Sequence, residues 1–194
     1  MPHRIEVATT IKDMRACVRA QQLNKAGFPV NDVKLVDVYT IDTALDENLP
    51  EVASMLVNPV TQKAFIDRPV FPEEFDYAIE VGFMPGVTDN VGKTVRSEIE
   101  DLTGTKLDGQ AVYTSQVMFV SGNNITRDVA RKIGESFANT VIQHISVKDR
   151  NEYKRDNGMG LVIPRVKLQE PTPADYVDIL GATDEELSII GKKG

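Results

Sequence analysis

Large apolar residues alternate along FDYAIEVGFM (75–84), and the run stops at Pro85-Gly86, which predicts a strand ending in a turn. A helix is expected from about Asn90, with Asp89 or Thr88 as N-cap. Val91, Val95, Ile99 and Leu102 form its apolar stripe, and Gly104 offers the stop. AVYTSQVMFVS (111–121) is rich in β-formers and long enough for a hairpin. Thr126 then caps a helix with Val129, Ile133 and Phe137 on one side, and VIQHISV (141–147) closes the unit as a strand.

The N-terminal part repeats this pattern in worn form. HRIEVATT (3–10) reads as a strand, and Asp13 caps a helix whose apolar side carries Met14, Cys17 and Val18, ending at Gly27. VKLVDVYTID (33–42) supplies strand material, Pro50 suits the first position of a helix with Val52, Met55 and Leu56 inward, and VTQKAFI (60–66) closes the unit. Three echoes support a duplication. HRIEV at 3–7 matches YAIEV at 77–81, and Val38-Tyr39-Thr40 matches Val112-Tyr113-Thr114, both 74 positions apart. MLVNPVTQKAFI (55–66) matches SFANTVIQHISV (136–147) at an offset of 81.

The expected class is α+β. Two tandem ferredoxin-like βαββαβ modules form a pseudo-dimer within one chain, followed by an extended tail and a short helix. The expected boundaries are 1–68 for the first, diverged module, 69–75 for a linker stiffened by Pro69 and Pro72, and 76–150 for the second module. In the tail, 151–194, NEYKRDNGMG reads as loop, LVIPRVKL as an edge strand broken at Pro164, and QEPTPADY as extended chain. Thr183 and Glu186 form a capping box that opens the short helix. A helix of that size at a bare terminus is marginal, so the native chain is expected to continue past Gly194.

Composition narrows the classes of function. With 194 residues, 41% hydrophobic and 26% charged, the chain is ordinary globular material. A net charge of −7 without a Lys/Arg cluster argues against nucleic acid or an anionic membrane as partner. The single Cys17 excludes an internal disulfide and fits a cytoplasmic location. No apolar run reaches the ~18–20 residues of a membrane span, and MPHRIEV is no signal peptide.

Few positions invite chemistry. GVTDNVGKT (86–94) lies between strand and helix as a phosphate loop should, but five residues separate its first Gly from Gly-Lys-Thr where the P-loop has four. The competing reading is a turn at Pro85-Gly86, a cap at Asp89, and Gly92 letting the helix approach the sheet. His3 and His144 have no neighbour at ligand spacing, and Cys17 reads as core. Asn58 and Asn139 sit at matching helix-to-strand corners and suit a C-cap with positive φ. No catalytic, cofactor-binding or metal-binding residue is expected.

IEVGFMPGVTDNVGKTV followed by FANTVIQHISV resembles the small subunit of phosphoribosylformylglycinamidine synthase. Pro85, Gly86, Val87, Asp89 and Gly92 match that subunit's Pro-Gly-Val-x-Asp-x-x-Gly element, and Asn139 through Ile142 match its Asn-x-Val-Ile corner. The first module keeps only IEV and Leu56-Val57-Asn58-Pro59-Val60 and lacks the loop. VDILGATDEELSIIGKKG is similar to the start of the linker in the large form of the same synthase. The resemblance implies a non-catalytic N-terminal scaffold region of this purine-biosynthetic ligase and glutamine amidotransferase. Such a region bridges the synthetase domains and the glutaminase and helps enclose the ammonia route. ATP and magnesium belong to the synthetase domains, outside these residues. A rival reading is a pair of ACT-like ligand-sensing domains, with PGVTDN near the ligand.

Overall fold

A computed structural model describes residues 1–109, 111–165 and 179–193. Its strands are β1 (His3–Thr9), β2 (Val30–Ile41), β3 (Gln62–Ile66), β4 (Tyr77–Phe83), β5 (Val112–Gly122) and β6 (Gln143–Asp149). They make one six-stranded sheet in the order β3-β1-β2-β5-β4-β6, with every pairing antiparallel. Between them run α1 (Met14–Lys25), α2 (Leu49–Met55, after a 3-10 turn at Asp46–Asn48), α3 (Asn90–Thr103) and α4 (Arg127–Phe137). The described chain ends with α5 (Arg150–Arg155) and α6 (Asp184–Lys193), so the fold is α+β.

Each half is β-α-β-α-β, one strand fewer than the expected βαββαβ. The predicted hairpin at 111–121 is instead a single strand, β5, of 11 residues that pairs along its length with β2 of 12 residues. No strong two-residue turn such as Asn-Gly interrupts its run, and β2 offers continuous hydrogen bonding on one side, so nothing makes it fold back.

Strand register tests the echoes. Glu6 faces Val38 and Glu80 faces Val117, so the counterpart of Val38 is Val117 and not Val112. The Val-Tyr-Thr echo is therefore out of register. The other two echoes hold: Ile5 faces Ile66 on β3, and Ile79 faces Val147 on β6. At the centre Asp37 pairs with Gln116, whose Nε2 donates to Asp37 Oδ1 at 2.8 Å.

The halves exchange helices over one sheet face. Ala16 and Leu23 of α1 pack with Ala130 and Ile133 of α4, over Leu35 and Met118. Val95 and Ile99 of α3 pack with Val52 and Ala53 of α2, over Ile5 and Val7. The Arg19 guanidinium lies 4.1 Å over the Phe137 ring, tying α1 to α4. The inward side of α1 is Ala16, Ala20 and Leu23, while Met14 and Val18 are exposed and Cys17 is half-buried. The Asp13 cap, accepting the Arg15 N–H at 2.8 Å, sets that phase, and small side chains let the helix close on the sheet. In α3, Val91 is likewise exposed, because Gly92 takes the sheet-facing position.

The other face lies under the linker and α5. Val38, Ala78, Val117 and Phe119 are covered by Phe75, Tyr153 and Met159, and the rings of Phe75, Phe119 and Tyr153 meet edge to face. The Tyr153 hydroxyl donates to Val70 O at 2.9 Å. NEYKRDNGMG therefore begins as helix and not as loop. Asp149 and Glu152 cap α5 reciprocally, a box whose first member lies in the preceding strand. Gly158, at φ +100°, presses on Pro69, where a Cβ would come within 2.7 Å. Residues 161–165 form no strand, and the rest of LVIPRVKL, with QEPTPADY, lies outside the described residues. α6 opens with the expected box, Thr183 N–H donating to Glu186 Oε2 at 2.8 Å. No helix among the described residues is long and apolar enough to cross a membrane.

Candidate functional site

The motif loop joins β4 to α3. Pro85 and Gly86 form an exposed turn with Gly86 at φ +82°, closed by Val87 N–H donating to Met84 O at 3.2 Å. Val87 is half-buried. Asp89 is buried at 1% exposure and caps α3, its Oδ1 accepting Gly92 N–H at 2.8 Å. Its Oδ2 accepts both the Thr114 N–H, at 2.6 Å, and the Thr114 hydroxyl, at 2.8 Å. Three donors thus converge on a carboxylate that faces β5. A Cβ on Gly92 would stand 2.5 Å from Val112 O, so only glycine lets α3 sit this close to β5. Lys93 points outward, exposed. In place of a phosphate cradle the loop holds an acid turned toward the sheet. Thr114, which completes the joint, carries no local sequence signal because it lies 25 residues away.

The two corners are built alike. Asn58 Oδ1 accepts Val60 N–H at 3.0 Å, and Asn139 Oδ1 accepts Val141 N–H at 3.2 Å. Gln62 and Gln143 return the contact, each side-chain oxygen accepting the Asn N–H at 2.8 Å. Neither Asn has positive φ, so the expected left-handed cap is instead an Asx turn locked by a glutamine four residues on.

Sequence reasoning missed the charged cluster at the middle of the second face. Arg4 Nε donates to Glu6 Oε1 at 2.9 Å, and Arg4 Nη1 donates to Glu80 Oε1 at 3.0 Å and to Gly160 O at 3.1 Å. Glu6 Oε2 accepts Val70 N–H at 2.6 Å, and Ser115 Oγ donates to Glu80 Oε1 at 2.5 Å. Glu6 and Glu80 are the glutamates of the repeated Ile-Glu-Val, so one guanidinium ties the two halves together across β2 and β5. Burial pushes the Glu6 carboxyl above its ordinary value, against the pull of Arg4. Burial also works to lower Arg4, but Glu80 and Glu6 outweigh it and hold the guanidinium above its ordinary value. Arg4, Glu80, Tyr113, Ser115, His144 and Ser146 line a cavity of about 130 Å³, room for a few waters and little more.

Each histidine has its own partner. His3 Nδ1 lies 2.8 Å from Asp67 Oδ2, and His144 Nδ1 lies 3.2 Å from Phe83 O. Among the described residues no group of three or more His, Cys, Asp or Glu could hold a metal ion. No family model matches the chain, and no curated protein matches it.

Proposed function

We propose that this chain is a non-catalytic scaffold, the N-terminal region of a phosphoribosylformylglycinamidine synthase. Two diverged small-subunit-like modules act in it as an intrachain pseudo-dimer. The region bridges the synthetase domains and the glutaminase of that purine-biosynthetic enzyme and helps enclose the route of ammonia. ATP and magnesium are held by the synthetase domains, and the setting is cytoplasmic. The observation that carries this reading is the use made of the motif residues. Asp89 gives both carboxylate oxygens to the protein's own donors and Gly92 is packed against a backbone oxygen, so both serve as framework. Pairing of the two halves through β2 and β5, with helices exchanged above, further favours a docking platform. The test is to delete residues 1–150 from the synthase that carries them and compare glutamine-dependent with ammonia-dependent synthesis. Selective loss of the glutamine reaction is expected; undiminished coupling overturns the reading.

A further inference from the structure

The halves differ at one place in the sheet, and the difference leaves a groove. In the second half the β4–β5 ladder stops at Gly82–Ser115, and the next residue of β5, Thr114, receives the Asp89 carboxylate on its N–H and hydroxyl. In the first half the β1–β2 ladder stops at Ala8–Val36, so Leu35 holds the corresponding position. The loop there has four residues, 10–13, where the second half has six, 84–89. Asp13 caps α1 as Asp89 caps α3, yet its oxygens go to the Arg15 N–H and guanidinium. Among the described residues, β2 from Leu35 back to Asp32 has no strand partner besides β5, and Val30 O accepts from Asn24 Nδ2 at 2.9 Å. A groove of about 630 Å³ opens along that edge, with Ala16, Cys17 and Ala20 on one side and Val70 and Pro72 on the other.

We propose that this groove takes an extended acidic segment of a partner protein. The segment adds to β2 as a strand and sets a carboxylate at Leu35 as Asp89 is set at Thr114. Two observations choose that occupant. The equivalent position of the second half is already filled by a loop carrying a carboxylate. The groove also presents two exposed lysines, Lys12 and Lys34, beside exposed Asp32, while Asp13 is held by Arg15, which also holds Asp37. Main-chain pairing along an open edge would supply affinity, and the small side chains of α1 leave room for alternate side chains of the guest. This inference does not depend on the synthase reading.

Cys17, the chain's only cysteine, lies in the groove and reports on its occupancy. The probe is the peptide GFMPGVTDN, residues 82–90 of this chain, beside the same peptide with Asn in place of its aspartate. The first peptide is expected to slow alkylation of Cys17 saturably and to shift the backbone amide resonances of residues 31–35. The Asn peptide is expected to bind about tenfold more weakly, the loss of one charge-assisted hydrogen bond. Charge reversal at the exposed Lys12 and Lys34, K12E with K34E, weakens the first peptide while leaving the amide spectrum folded. Four results overturn the proposal: no saturable effect at millimolar peptide, equal affinity of the two peptides, shifts confined to β3 or β6, or Cys17 protection that grows with protein concentration alone. The last would make a second copy of this chain the occupant.

Discussion

Replacing Asp89 by alanine removes the acceptor for three donors at once and strands the Gly92 and Thr114 N–H groups in a buried place. A hydrogen bond to a charged group contributes about 1.5–3 kcal/mol, and these three share one carboxylate, so their effects do not add fully. The expected loss is about 4 kcal/mol. Asp13, which caps α1 as Asp89 caps α3, provides an internal control. It caps α1 but bonds only within the first helical turn, so Asp13→Ala should cost about 1 kcal/mol, the value of an ordinary N-cap. Urea denaturation of both variants measures the difference, expected near 3 kcal/mol. In thermal melts the Asp89 variant should lie roughly 10 °C below wild type. Asp89→Asn should fall between, since one of its two polar atoms now opposes a donor. If Asp89→Ala and Asp13→Ala came within 1 kcal/mol of each other, the joint between α3 and β5 would not be what holds the motif loop.

Other substitutions probe the remaining contacts. Gly92→Ala, despite better helix propensity, should destabilise by about 1–3 kcal/mol, because its Cβ meets Val112 O at 2.5 Å; a neutral or stabilising effect in the same denaturation would refute the close approach. Arg4→Met leaves Glu6 and Glu80 buried without their counter-charge and should cost about 3–5 kcal/mol at pH 7.5. Glu6 is already raised above 4.5 in the folded state, so protonation relieves the fold as pH falls; the Arg4→Met penalty should shrink by pH 4.5, and an equal penalty at both pH values contradicts the cluster. Glu100 works in the opposite sense. Lys106, the Leu107 N–H and Arg96 hold its carboxyl down at about 2 against an ordinary 4.5, so its stabilising contribution is present above pH 4.5 and lost as pH falls toward 2. Glu100→Gln should flatten the pH dependence of Tm across that window, and an unchanged slope counts against the ion pairs.

Local patterns were legible in the sequence where the chain itself supplies the partner. The caps at Asp13, Asp89 and Thr126 and the stop at Gly104 all occur as spacing predicts, because each is satisfied within a few residues. The hairpin was misread because β-formers report a strand but not its partner, and β5 finds its partner on β2, far along the chain. The inward side of α1 was misread because hydrophobicity selects Met14 and Val18, whereas closeness to the sheet selects Ala16 and Ala20. Nothing in the strand patterns around Glu6 and Glu80 marks them for burial, because the cover supplied to the second face by the linker and α5 is invisible at the level of a single strand. In the Asn corners the turn was visible and the glutamine was not, since Gln62 and Gln143 sit inside ordinary strand patterns.

Exchange of helices has a consequence for how the chain holds together. The core beneath α1 and α4 draws Ala16, Leu23, Val30, Val33 and Leu35 from the first half and Ile79, Met118, Val120, Ala130 and Ile133 from the second. Separating the halves exposes the large members of either set, at about 1.5–3 kcal/mol for each fully buried aliphatic side chain. Four such residues amount to about 8 kcal/mol, which is comparable to the whole stability of an ordinary domain. Breaking the β2–β5 pairing adds the unmet main-chain groups of two long strands. Fragments 1–75 and 76–160 should therefore fail to fold as monomers and should recover dispersed amide spectra when mixed. A self-associated 76–160 is compatible, since β5 could then pair with its own copy. A stable, well-dispersed monomer of either fragment is not compatible: it would mean that one half closes its own core, and that Arg4 binds together two units that already stood alone.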